Sequence, residues 1–351
     1  MSDKFGQRLK AARKMAGMSQ QALADATDNR VTKQAISKYE KGLMKPDGKN
    51  LLALANALNV STGYFFRESD VNLSKIEFRK KSKLHQKEID RIESRTLDFL
   101  ERYIEIEEIV GQRITFKNPL KDFKIRSYED VDAAAEKLRD EWDLGESPLS
   151  NLMELLEDKG VCIYEIDADD SFDGLSGFVG EIPLVILNGS FDLVRKRFTL
   201  AHELGHILLK FPSKEPIDPK LKEKMCHAFA GAFLLPYSAI FSELIGKRQN
   251  IADWELKKLK GIYGISMAAI MVRAHNLKLI TESYYIRFWK RVNKLGWRQN
   301  EPGEYIGRER ANRFEQLIYY AVAENIVTMS KGSELLNIKL PQFRRKFQLV
   351  A

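Results

Sequence analysis

Residues 195–209 read RKRFTLAHELGHILL. His202 and His206 stand at i and i+4, so a helix projects both imidazoles from one face. That is the spacing two ring nitrogens need to share one zinc ion. Glu203 sits beside the first of them, where its carboxylate can take a proton from an activated water and pass it to a leaving amine. Leu200, Leu204, Ile207 and Leu208 anchor the helix in a core, and Gly205 leaves room for another backbone or a substrate. A core histidine accounts for one such residue. It accounts poorly for two at this spacing with a glutamate between them.

A zinc site of this kind requires a third protein ligand. Downstream, Asp218–Pro219 is a helix start, a capping residue followed by proline at the first position. The helix runs LKEKMCHAFAGAFLL and stops at Pro236. Glu223 and His227 lie one turn apart on it. Glu223 as ligand makes a two-histidine, one-glutamate site with a fourth position open to water. His227 is then a partner that orients His202 or the metal, or is itself the ligand. Cys226 is a further alternative, but about 100° of helix rotation from His227 is expected to turn it elsewhere. Upstream, Pro183–Asn188 (PLVILN) reads as a strand. It is either a cleft edge that an extended substrate joins or an ordinary buried strand. Tyr237, Tyr263 and His275 are candidates for stabilising an oxyanion, and each also suits a structural role.

RFTLAHELGH followed by FAGAFLLP resembles the ImmA/IrrE family of zinc metallopeptidases. Further similarity lies in AAEKLRDEWDLGESPLSNLMELLEDKGVCIYEID, in LKKLKGIYGISMAAIMVRAHNLKLI and in GWRQNEPGEY. The resemblance implies a zincin-like domain with Zn²⁺ held by His202, His206 and Glu223, and Glu203 as the catalytic base. Where the family carries Asn four residues after the glutamate, this chain has His227.

The N-terminus is organised differently. Phe5–Met15 has Phe5, Leu9 and Ala12 at helical spacing, and Gly17 ends it. Ser19 caps a second helix, SQQALADAT, with Leu23 and Ala26 inward. Thr32 caps a third, TKQAISKYEKG, closed by Gly42. Pro46 precedes a fourth over Asn50–Leu58. Helices this short are marginal alone and must pack as a bundle. On the third, Ala35, Ile36 and Tyr39 form the apolar side. Thr32, Lys33, Gln34, Ser37 and Lys38 form a polar side suited to base edges and phosphates. MSQQALAD, AISKYEKG and VSTGYFF resemble the Xre/Cro-type helix-turn-helix family over about residues 5–66. The resemblance implies that the third helix reads a double-stranded operator and that Ser19, Gln20 and Gln21 contact phosphate. The loop Asp28–Val31 is slightly longer than the family's. A bundle used only for protein contacts is the alternative.

Charge supports the division. The 351 residues carry a net +8. Residues 1–69 hold 12 Lys+Arg against 6 Asp+Glu, so +6 lies in the first fifth of the chain. Between the two zones, Gln86–Val110 repeats Ile89, Ile92, Thr96, Phe99, Tyr103, Ile106 and Val110 at alternating steps of three and four. This seam suits a homodimer; Leu97, Leu100 and Ile104 widen it, as a helix packed on its own protein requires. Arg79–Lys83 is a short lysine-rich run. Toward the C-terminus, Ile262–Ala274 reads as one amphipathic helix, and Arg313–Ala323 with Gly332–Ile338 as a small closing unit. PQFRRKF (341–347) is basic and is either a nucleic-acid contact or a solvated terminal helix.

The composition is globular, with 44% hydrophobic residues and two cysteines, Cys162 and Cys226. A disulfide framework is excluded and a reducing compartment expected. No apolar run approaches 18 residues and MSDKFGQRLK is no secretory leader, so neither a membrane span nor export is expected.

The expected fold is α+β and mainly helical: a helix-turn-helix bundle (1–69), a connecting helical segment (70–124), a zincin-like metallopeptidase domain with a small sheet (125–290) and a helical C-terminal unit (291–351). The expected function is a cytoplasmic, DNA-binding transcriptional regulator that is also a zinc endopeptidase. By resemblance, its protein substrate is a repressor-like regulator in a phage, mobile-element, stress or toxin–antitoxin-like circuit. The alternative is a regulator whose peptidase-like domain only senses or binds a partner.

Overall fold

Ser19, Thr32 and Asp47 each turn the chain into a helix by accepting a hydrogen bond from the backbone N–H three residues on. Each side chain satisfies one of the donors a helix start leaves unpaired. The result, in a computed structural model describing residues 4–67, 85–212 and 217–350, is α1 (Lys4–Met15), α2 (Gln20–Ala26), α3 (Lys33–Glu40) and α4 (Gly48–Leu58). The fourth helix starts two residues earlier than Asn50 because Asp47, not Pro46, sets its origin. Phe5, Leu9, Leu23, Ile36, Leu54 and Phe65 fill the bundle's core.

The described residues form two compact units: 4–67, 85–113 and 312–350 in one, and 114–212 with 217–311 in the other. The lysine-rich run at 79–83 and the expected boundary at 69–70 lie outside the described residues.

In the first unit, α5 (Gln86–Val110) lies against α1. Its acidic side meets the bundle's cations: Arg8 pairs with Glu101, Lys14 with Asp90 at 2.9 Å, and Arg67 with Asp98 at 3.1 Å. Ile92, Thr96, Phe99, Tyr103 and Ile106 of the expected seam are buried inside this unit. Part of that cover comes from the C-terminal helices, with Phe314 on the rings of Phe99 and Tyr103 and Leu317 and Ile318 in a cluster with Ile106.

The second unit begins with α6 (Tyr128–Glu141), entered through a reciprocal Ser127–Asp130 capping box, and α7 (Leu152–Asp158). A three-stranded sheet follows: β1 (Cys162–Ile166), β2 (Gly174–Val179) and β3 (Ile182–Asn188). The strand order is β1-β3-β2, with β3 parallel to β1 and antiparallel to β2. Pro183–Asn188 is thus the central strand, paired on both sides. The edge beside the candidate site is β2, because its tight connection to β3 folds it onto the outer flank.

After the sheet come α8 (Leu193–Leu208), α9 (Pro219–Leu234), α10 (Tyr237–Leu244), α11 (Asp253–Tyr263), α12 (Met267–Asn276) and α13 (Glu282–Leu295). The single helix expected over 262–274 is two. Gly264, at φ +61°, ends α11 in the left-handed conformation, and Ser266 caps α12. Then α14 (Arg313–Ala323), α15 (Met329–Leu335) and α16 (Leu340–Val350) complete the first unit. The helix expected at 332–338 instead begins after Thr328, whose side chain caps it, and stops before Asn337 at φ +52°. The fold is mainly helical with one small sheet, as the sequence implies. Among the described residues no single helix is long and apolar enough to cross a membrane.

Candidate metal centre and nucleic-acid interface

The face of α8 that carries His202, Glu203 and His206 is buried. Helix α9 crosses it closely because Gly205 has no side chain: a Cβ there would stand 3.1 Å from the ring of Phe229 and 3.5 Å from Cys226 Cα. Glu223 then reaches both histidines. Its two carboxylate oxygens lie 3.3 Å from His202 Nε2 and 3.3 Å from His206 Nε2, and the two Nε2 atoms are 3.1 Å apart. Donors held at 2.0–2.2 Å in a tetrahedron stand about 3.3–3.6 Å from one another. The three side chains therefore fit a small divalent cation. His202 Nδ1 is buried without a hydrogen-bond partner among the described residues, which leaves Nε2 as the ring's polar outlet.

Three neighbours complete the arrangement. Ser176, on β2, donates its hydroxyl to Glu203 Oε2 at 2.7 Å. Gly174 lets this strand approach α8, since a Cβ there would meet Thr199 Cγ2 at 2.7 Å. Cys226 Sγ lies 3.4 Å from His206 Nδ1, behind the ligating edge of that ring. His227 stacks on His202, with centroids 4.1 Å apart, and more loosely on Phe198 at 6.0 Å. One of its ring nitrogens shares a cluster with a His202 nitrogen and a Glu223 oxygen, all within 4.8 Å. His202, Glu203 and His206 form a second cluster of donor atoms within the same limit.

Buried arginines fix the helices that carry these groups. Arg139 donates to Phe233 O at 2.7 Å and Arg273 to Leu235 O at 2.5 Å, capping the carbonyl end of α9. Arg197, fully buried on α8, pairs with Glu309 and donates to Leu149 O at 2.8 Å and Tyr263 O at 3.3 Å. Glu309 in turn accepts from Leu152 N and Met153 N at the start of α7. Burial lowers the affinity of all three guanidinium groups for their proton. Glu301 caps α12 through Met267 N and Ala268 N at 2.7 and 3.0 Å. The GWRQNEPGEY segment is thus a structural strap.

In the other unit, Thr32, Lys33, Gln34 and Lys38 are exposed on α3 and Ser37 is half-buried. Thr27 closes the α2–α3 turn by donating to Ala24 O and accepting from Val31 N, while Asp28 and Asn29 take positive φ. The extra loop length is absorbed there. Ser19 is occupied as a helix cap. Gln20 donates its amide to Glu40 at 2.8 Å, in a cluster with Arg13, and Gln21 donates to Asp25 at 2.8 Å. These two amides are committed within the bundle.

Neither Ser176 nor the buried α8 arginine Arg197 stands out in the sequence, which instead leads Cys226 to be expected to face elsewhere. Cys226 faces α8 because the side of α9 that carries Glu223 and its packing side adjoin. Of the oxyanion candidates, His275 Nε2 pairs with Glu282 and its ring stacks on Tyr285, Tyr263 is buried, and Tyr237 is exposed with its ring tilted against Phe241.

Comparison with known proteins gives two separate matches. Residues 9–65 match the helix-turn-helix family, and residues 156–275 match the IrrE N-terminal-like domain of the M78 peptidases. The chain is 44% identical over 63 residues to the SPbeta prophage-derived HTH-type transcriptional regulator YonR of Bacillus subtilis, a stretch covering 18% of this chain and 56% of that protein. It is 36% identical over 81 residues to the HTH-type transcriptional regulator y4wC of Sinorhizobium fredii, covering 23% and 53%. It is 35% identical over 77 residues to the HTH-type regulator YqaE of Bacillus subtilis, covering 22% and 65%. The chain thus spans less than two thirds of each of these relatives.

Proposed function

For a chain that joins a helix-turn-helix domain to an IrrE N-terminal-like domain, we propose a cytoplasmic DNA-bound regulator that hydrolyses a protein substrate with zinc. The observation that carries this reading is the convergence of His202 Nε2, His206 Nε2 and the Glu223 carboxylate within 3.1–3.3 Å, beside a Glu203 held by Ser176.

Zinc bound by His202, His206 and Glu223 supplies Lewis acidity for a peptide carbonyl. The chain's own groups do the rest. Glu203 takes the proton of the attacking water and returns it to the departing amine. Ser176 holds that carboxylate at one orientation. Cys226 and His227 fix the planes of the His206 and His202 rings. As an edge strand beside α8, β2 offers its backbone to an extended substrate segment. On the DNA side, Lys33, Gln34, Ser37 and Lys38 of α3 contact an operator, so the substrate is a protein held near the same promoter, of repressor-like kind.

Purified protein carries about one zinc per chain by elemental analysis. Glu203→Gln keeps the metal and loses cleavage of the protein substrate, while Glu223→Ala loses both. A zinc-free preparation defeats the reading. In a second reading the peptidase fold only senses or binds a partner. That reading prevails if Glu203→Gln cells regulate like wild type while Lys38→Ala cells do not.

A further inference from the structure

The C-terminal pair α15–α16 shares features with α2–α3, although the α2–α3 turn, residues 27–32, is six residues long. Helices α2 and α15 are each seven residues long and each capped by a hydroxyl, Ser19 and Thr328. Each is followed by a turn containing left-handed residues, Asp28 and Asn29 in one and Asn337 in the other. The second turn, residues 336–339, is four residues long, within the three to four that join such helix pairs.

Packing argues the same way. Gly332 lies where α14, α15 and α16 meet: a Cβ there would stand 2.7 Å from the Phe343 ring and 2.8 Å from Val322 Cγ2. Phe343 is fully buried and Leu335 nearly so, with Leu336, Ile338 and Phe347 against them. One side of α16 is therefore committed to the core. Its other side exposes Gln342, Arg344 and Arg345. Residues 339–351 contain four cations, Lys339, Arg344, Arg345 and Lys346, and no acidic side chain. Of these, Lys346 leans toward Glu315 at 3.5 Å. Glutamine and arginine on the N-terminal half of a second helix are the side chains that pair with adenine and guanine edges in a major groove.

We propose that α15–α16 is a second helix-turn-helix and that α16 binds duplex DNA through Gln342, Arg344 and Arg345. This rests on the chain's DNA binding alone and is independent of the proteolysis reading. Both helix pairs belong to one compact unit, so the two DNA contacts occur at a fixed spacing.

The test is selection of bound duplexes from a randomised pool by the full chain. Wild type enriches two short sequence blocks at constant separation. Gln342→Ala with Arg345→Ala loses one block, weakens binding to the selected duplex on the order of tenfold or more, and leaves thermal unfolding unchanged. Arg345→Lys keeps the charge and relaxes the sequence preference of that block. Gln34→Ala with Lys38→Ala loses the other block. Inserting about five base pairs between the blocks, half a helical turn, weakens binding. A single block indifferent to every α16 variant overturns the proposal. If the α3 variants leave both blocks intact while the α16 variants do not, the role given to α3 fails and this one stands.

Discussion

Glu203 is buried, and Ser176 donates to it at 2.7 Å, so the orientation of the proposed base depends on a hydroxyl from another element. A hydrogen bond to a charged acceptor contributes about 1.5–3 kcal/mol, roughly a tenfold to hundredfold factor in rate if it is used in the transition state. Ser176→Ala is therefore expected to keep zinc content and melting temperature and to lower kcat about tenfold with little change in KM. An equal loss of bound zinc contradicts that assignment. The residue scale is also where sequence reading is most uneven. His202, Glu203 and His206 share one helix, so their i, i+4 relation is local and visible. Glu223 was one of three candidates on the second helix, with His227 and Cys226, and only the resemblance to the ImmA/IrrE family singled it out. Ser176 was not, since serine on a strand 27 residues before its partner carries no periodic signal. Cys226 was misread because an angle on one helix says nothing of where the neighbouring helix lies.

At the scale of elements, the site depends on how closely α8 and α9 approach and on what holds their ends. Adding a side chain at position 205 meets Phe229 at 3.1 Å, and overpacking of this kind costs about 1–3 kcal/mol. Gly205→Val should separate the helices and weaken zinc binding by roughly tenfold or more in a chelator competition, while the far-UV spectrum stays helical. Arg197 poses the opposite case. Its removal strands the Glu309 carboxylate, which is fully buried and already serves the two N–H groups that open α7. Breaking a buried pair from one side costs about 3–5 kcal/mol. Arg197→Met should lower urea stability by that amount, and adding Glu309→Gln should recover part of it. Helix starts were largely legible because Ser19, Thr32 and Asp218 signal them chemically. The break at Gly264 was missed because the apolar period runs on through it from α11 to α12.

Over the whole molecule, net charge is a poor guide to which cations meet DNA. Of the basic residues in the first 69 positions, Arg8, Lys14 and Arg67 are paired with carboxylates of α5, and Arg13 with Glu40. They are cations of the fold, holding a basic bundle against an acidic helix. Lys33 and Lys38 are exposed on α3, the helix proposed to meet DNA. Each phosphate contact contributes about 0.9 to the slope of log affinity against log salt. Lys33→Ala and Lys38→Ala should therefore each reduce the measured slope by roughly one, without changing stability. Arg8→Met should do the reverse: the slope stays at the wild-type value, and the chain unfolds at lower denaturant because Glu101 is left without its largely buried partner. A slope that falls for Arg8→Met as much as for Lys38→Ala would mean that the α5 contact opens when DNA binds. The same separation explains why sequence placed the basic module and the polar side of its third helix but not the cations that hold the fold. Composition counts all of these charges alike, and the carboxylates of α5, with Glu40 of α3, take up Arg8, Lys14, Arg67 and Arg13 within the unit.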